Sequence, residues 1–226
     1  MSLRLARPLI ALGIAAACAA PQTAAPTPQS PSPSSTTSSQ TAGETLPAGA
    51  IRFTIAATRS QATIRVREQV AGIPAPGDAV LTTRAFSGSL VLLADGTFAT
   101  GSLIAVDLDT LSSDSDLRDE WIKFNTLQTR VYPRAEFIAT RVSGIPLPLP
   151  VEGEWSATIE GTMRIHGVER PLTWDLRATR SSGEIRVRGE TAFRFGDYGM
   201  AVPANRLILS VVDDVRLEID LVARED

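Results

Sequence analysis

The residue types that build most polar reaction centres are nearly missing from this 226-residue chain. It has one cysteine, Cys18, one histidine, His166, and one lysine, Lys123. A single cysteine excludes any disulfide within the chain, and a single histidine excludes zinc sites built on several imidazoles. No Gly-x-Ser-x-Gly elbow stands ready to use His166, and no glycine-rich phosphate loop occurs, so neither serine-hydrolase nor nucleotide-loop chemistry has its residues. The longest apolar run, "PLIALGIAAAC", is too short to span a bilayer. Cations do not exceed anions: the formal charge of -3 argues against nucleic acid as a partner, because phosphate neutralisation needs a basic surface.

What is present divides the chain into three. In residues 1–18, Arg4 and Arg7 precede the short apolar run, the pattern of an export signal, and Cys18 lies where a lipoprotein signal places the lipidated residue. An ordinary signal cleaved near Ala15 to Ala17 would instead leave an unpaired thiol. Residues 19–49 are rich in proline, serine and threonine with almost no large apolar side chain, so they bury too little to offset the entropy of ordering and read as a disordered tether. Residues 50–226 fit one domain. The expectation is an exported protein, held as a lipoprotein in the periplasm or on the cell surface through Cys18, or secreted.

Within that domain the dominant period is two. In "WSATIEGTMRI", Trp155, Ala157, Ile159, Gly161, Met163 and Ile165 share one face; in "EIRVRGETAFRF", Ile185, Val187, Gly189, Phe193 and Phe195 do. Further alternating runs start at 51, 63, 172 and 215, with less regular ones at 86 to 93, 98 to 108 and 135 to 142. Turn residues separate them at 94 to 97, 167 to 171 and 181 to 183. Roughly eight mostly antiparallel strands follow, and one-sided strands joined by short turns are best satisfied by a sheet that closes on itself. The fold class is all-β, a small barrel.

The period changes in "SDSDLRDEWIKFNTLQTRVYPRAEF", Ser113 to Phe137. Leu117, Trp121 and Phe124 recur at helical spacing, Ser113 or Asp114 can cap the helix start, acids in the first turn suit its dipole, and Tyr132-Pro133 ends it. Its acidic cluster also admits sharper readings. A calcium loop of the EF-hand kind lacks its glycine and its closing glutamate, and a catalytic pair of Asp119 and Glu120 shows no sign of a perturbed environment. His166 in "RIHGVERPL" reads as a turn histidine bonded to backbone, or as a lone acid–base group.

Four motifs carry a resemblance: Arg118-Asp119 opening the helix, Tyr132-Pro133-Arg134-Ala135-Glu136-Phe137 entering a strand, Gly161 followed by His166-Gly167-Val168-Glu169-Arg170-Pro171, and the late turn Asp197-Tyr198-Gly199. In this order they resemble the YceI-like family of exported lipid-binding proteins, from about residue 51 to the end. The resemblance implies a lipocalin-like, extended antiparallel eight-stranded barrel with a short helical insertion packed at one mouth, and an apolar interior holding a polyisoprenoid or similar amphiphile. The chain departs from the family where Arg59-Ser60 replaces His-Ser, Trp121-Ile122 replaces His-Leu, and Leu127-Gln128-Thr129 stands near the place of Phe-Phe-Asp.

The functional expectation is a non-catalytic carrier for a polyisoprenoid or other long-chain amphiphilic lipid, with no cofactor beyond a possible bound isoprenoid or quinone-like lipid. Its wall would be drawn from Phe53, Trp155, Ala157, Ile159, Met163, Trp174, Phe193 and Phe195. Small inward residues at Ala157, Gly161 and Gly189 would leave room. Arg59 or Arg118 are the candidates for a head group. A structural or interaction module with a filled barrel is the alternative, ahead of a calcium-binding or enzymatic barrel.

Overall fold

A computed structural model describes residues 46–226. The leader 1–18 with Cys18, and the tether 19–49 up to residue 45, lie outside the described residues. Ten strands form one antiparallel sheet: β1 (Ile51–Ile55), β2 (Gln61–Val70), β3 (Gly77–Thr83), β4 (Phe86–Leu92), β5 (Leu103–Asp107), β6 (Arg134–Ser143), β7 (Gly153–Ile165), β8 (Val168–Ser181), β9 (Glu184–Phe193) and β10 (Ile208–Glu225). Between β5 and β6 lies a helix, α1 (Asp116–Trp121), continued by wider π-type turns over Ile122–Leu127.

The ten strands make eight staves. β1 pairs with β4 and β2 with β3, while β10 meets β2 over most of its length and β1 at its end. So β1 and β2 are one stave broken by a 3-10 turn at Ala57–Arg59, and β3 and β4 are one stave broken at Arg84-Ala85. Each break flips the parity of the inward face: Phe53 and Ile55 point in from β1 but Ile64, Val66 and Glu68 from β2, and Ala79 and Leu81 from β3 but Leu90 and Leu92 from β4. An extra residue in a strand does this, bending it as it goes. The β1–β10 pairing then closes the eight-stave antiparallel barrel that alternation implies.

Alternation holds cleanly where strands are long. Along β8, Trp174, Leu176, Ala178 and Arg180 are buried while Thr173, Asp175, Arg177 and Thr179 are exposed. The outer face carries ion pairs such as Arg65–Glu218 at 2.8 Å and Arg164–Glu136 at 2.9 Å. Two hairpins turn at adjacent residues with positive φ, His166 (52°) with Gly167 (75°) and Ser182 (54°) with Gly183 (72°). This is the twist-matched two-residue turn of antiparallel hairpins.

Several expectations need correction. The span 167 to 171 is not a break, since β8 begins at Val168 directly after the turn. Of 98 to 108 only Leu103–Asp107 is a strand, and β3 was not anticipated because "GDAVLTT" alternates weakly and opens on glycine. The helical segment ends at Gln128, which adopts a left-handed φ of 50°, before Tyr132-Pro133 is reached. The His166 ring packs on Tyr132 at 4.5 Å, and its Nε2 is buried and finds no hydrogen-bond partner, backbone or side chain, among the described residues.

Candidate functional site

The inner faces of the staves do not meet. They enclose a cavity of about 770 Å³ that runs from the helix end of the barrel, the mouth, to the end where the chain enters β1, the floor. A volume of this size is typical of a site for an extended small molecule. All eight side chains expected on the wall are there: Phe53 near the floor, Trp155, Ala157, Ile159 and Met163 along β7, Trp174 on β8, and Phe193 and Phe195 toward the mouth. Phe137 of β6 stands edge-on to Trp174, with centroids 6.3 Å apart.

The room does not come from the glycines. A Cβ on Gly161 would lie 2.3 Å from the Ile138 carbonyl oxygen and 2.5 Å from the Phe137 ring, and one on Gly189 would lie 2.4 Å from the Leu176 side chain. Neighbouring side chains already fill the space above both. The hollow arises from the closed circumference of eight staves, whose centre apolar side chains of ordinary length leave unfilled.

The floor is sealed by residues 144–152. Leu149 is buried against the cavity, and the loop's carbonyls at Leu149 and Pro150 accept hydrogen bonds from Arg180 at 3.1 and 3.0 Å. Arg180 is only 3 % exposed; its Nη2 pairs with Glu225, its Nε is buried without a partner among the described residues, and its guanidinium lies 5.9 Å from the centre of the Phe53 ring. A buried cation with carbonyl, carboxylate and aromatic partners acts here as a fastener for the floor loop. The alternating run that starts at 172 carries its inward face on to Arg180, which the sequence analysis does not single out.

The mouth holds the polar groups. Glu68, at the inward face of β2, accepts from Arg118 of α1 at 3.1 Å, and Arg118 also pairs with Asp114. That hydrogen-bonded pairing holds the Asp114 carboxyl below its ordinary value. Ser115 caps the helix, its hydroxyl accepting from the Arg118 N–H at 3.4 Å. Buried Asp119 reaches back to accept from the Ser113 N–H at 2.8 Å and from its hydroxyl at 2.6 Å. The cap is therefore Ser115 and not Ser113 or Asp114, and Asp114 and Asp119 brace the helix through Arg118 and Ser113. Among the described residues no group of three or more His, Cys, Asp or Glu side chains is placed to hold a metal ion.

The head-group candidates fall at opposite ends. Arg118 lines the mouth but is already balanced by two carboxylates; Arg59 lies off the cavity beside the floor, in a two-pronged pair with Glu184 that raises its pKa. The helix also differs from expectation. Trp121 and Leu117 reach the cavity lip, but the apolar stripe is not packed down on the barrel, since Leu117 is 79 % and Phe124 66 % exposed. Another lip segment escaped sequence reading, the arch before β10, where Pro203, Asn205, Arg206 and Leu207 border the opening. No periodicity marks such a loop.

Behind the Phe193 wall sits Tyr198, 1 % exposed, edge-on to Phe193 at 4.8 Å. Its hydroxyl finds no hydrogen-bond partner, and burial, helped by nearby Asp197, pushes the phenol up to about 12.

Comparison with known proteins gives a family and a fold. The family model described as "YceI-like domain" matches residues 53–223. A comparison with curated protein sequences gives no match. Among solved structures, the chain is similar to a polyisoprenoid binding domain from Saccharophagus degradans implicated in plant cell wall breakdown, with TM-score 0.58 and 14% identity over 77% of this chain and 98% of that one. It is also similar to BcnA of Burkholderia cenocepacia, with TM-score 0.56 and 13% identity over 74% of this chain and 98% of that one. A third likeness is to the YCEI protein of Campylobacter jejuni, with TM-score 0.54 and 16% identity over 70% of this chain and 91% of that one.

Proposed function

The chain belongs to the YceI-like family, and on that premise we propose that it is an exported carrier that holds one polyisoprenoid or similar long-chain amphiphile in its barrel and performs no chemistry on it. The observation that carries this reading is the cavity itself: about 770 Å³, walled by apolar side chains along its length, shut at the floor, with polar side chains gathered at the mouth. Such a space suits a hydrocarbon chain lying along the barrel with its polar end at the lip. Burial at about 0.8 kcal/mol per methylene gives micromolar or tighter affinity without any specific polar contact. The described polyisoprenoid-binding neighbour supports the ligand class. A barrel filled by its own side chains, the interaction-module alternative, does not describe this interior.

Anchoring through a lipid on Cys18, with residues 19–49 as tether, belongs to the same proposal and rests on sequence alone. The experiment is native mass spectrometry of the purified protein followed by denaturing extraction. An isoprenoid or fatty chain recovered in equal molar amount supports the carrier reading and names its ligand class. A protein that purifies empty and stays empty after incubation with polyprenols and quinones sinks it.

A further inference from the structure

A group of large apolar side chains left exposed gathers at the mouth, on three separate stretches of chain, while Leu147 and Val151 are exposed on the floor loop. Leu117 and Phe124 stand out from the helical segment, Ile73 from the β2–β3 loop, and Leu207, 66 % exposed, with Leu209 from the arch and the start of β10. The stretches adjoin: the Ala71 N–H donates to the Leu207 carbonyl at 2.8 Å, and Arg118 reaches Glu68 at the end of β2. Leu117 and Leu207 each line the cavity lip and face solvent at once. The dry interior and the apolar exterior patch are therefore one continuous surface, broken only by the opening.

Two cations complete it. Lys123 directly precedes Phe124, and Arg206 directly precedes Leu207. Among the described residues neither side chain has an ion-pair or hydrogen-bond partner. An exposed apolar residue beside an unpaired basic one matches the depth order of a bilayer interface, where apolar groups sink to the acyl boundary and cations remain at the phosphates. A second copy seated mouth to mouth fits worse, since it would bury two uncompensated cations per protomer in an apolar contact.

We infer that the mouth is a bilayer-docking surface, through which cargo passes between membrane and cavity without crossing water. The inference rests on the carrier reading above, and it adds the membrane as the partner that face recognises. Ile73, Leu117, Phe124, Leu207 and Leu209 are the inserted residues; Lys123 and Arg206 hold the lip at phosphate depth.

The test compares the full chain with its I73D/F124D/L209D variant, whose three substituted side chains stand outside the cavity lining, so that any contribution of residues 1–45 is common to both. Flotation with phosphatidylcholine vesicles reads docking, and uptake of a fluorescent polyprenol, offered in vesicles or in cyclodextrin, reads loading. Docking at the mouth predicts that the variant floats about tenfold less or lower still, and extracts the polyprenol from vesicles correspondingly more slowly, while loading from cyclodextrin is unchanged. Flotation equal in both proteins overturns the inference and leaves the carrier reading intact. A wild-type dimer that the variant dissolves, without vesicle binding by either, replaces the bilayer with a second copy. Failure of both to load from cyclodextrin overturns the carrier reading itself.

Discussion

Tyr198 is enclosed by protein, yet its hydroxyl meets no acceptor or donor. A buried hydroxyl without a partner carries a desolvation cost of about 1–3 kcal/mol, so Tyr198→Phe should be neutral or mildly stabilising even though the site is deep in the fold. The same burial sets a pH dependence. The folded phenol titrates at about 12 against 10.0 for the ordinary side chain. Between those values the unfolded state has lost its proton while the folded state keeps it, so the unfolded state binds fewer protons and stability falls as pH rises. Urea midpoints at pH 8 and pH 11 check this: the wild type should lose more stability between them than Tyr198→Phe. Equal losses would mean that the phenol is hydrated. Nothing in "FGDYGM" distinguishes an orphaned hydroxyl from a bonded one, because the partner that is missing would have come from a distant strand.

At the scale of elements, the weak point is the broken first stave. Ser60, directly after the 3-10 turn, is buried; its hydroxyl accepts the Val222 N–H at 3.1 Å and donates to the Ala56 carbonyl at 2.9 Å. One hydroxyl therefore splices the interrupted stave to β10 where the backbone ladder lapses. Ser60→Ala leaves the fully buried Val222 N–H unpaired and is expected to cost about 1–3 kcal/mol. The urea midpoint should fall with an unchanged slope, and amide exchange should quicken at Val222 but not along β7 and β8. Elements were legible where the alternation was long and one-sided, as in β7, β8 and β9. They were not where it was short and interrupted, as in β3, or where a helix leaves its apolar side in water, as at Leu117 and Phe124, because period reports which side is apolar and not what covers it.

At the scale of the whole molecule, the barrel's hollowness is the property on which the proposed carrier function depends, and a single bulky residue tests it. Ala157 faces the cavity from the middle of β7. Ala157→Trp places an indole across the passage, and because the centre is open the loss of stability should not exceed that of an overpacked core, about 1–3 kcal/mol. Polyprenol affinity should fall by about tenfold or more, since the chain can no longer lie past the middle of the barrel. Retained affinity in a folded variant would place the cargo elsewhere. The sequence pattern identified the inward set from Phe53 to Phe195, but an inward face reads the same whether it meets another face or empty space. That difference belongs to the circumference, which the pairing of β10 with the first stave, β1 and β2, determines.

That pairing is also the seam of the molecule. β7 and β8 pair from Gly153 with Arg180 to Ile165 with Val168, and β8, β9 and β10 continue as near neighbours in the chain, whereas β10 meets the first stave, β1 and β2, from the other end of the domain's sequence. Contacts between segments close in sequence form early, and those that must close a long loop form late. The last event of folding is then the meeting of the two chain ends of the barrel, and until it happens the apolar wall is an open trough. A hydrocarbon chain present at that moment would lie in the trough and be enclosed as the seam shuts, so the first cargo can be acquired during maturation, without passage through the mouth at all.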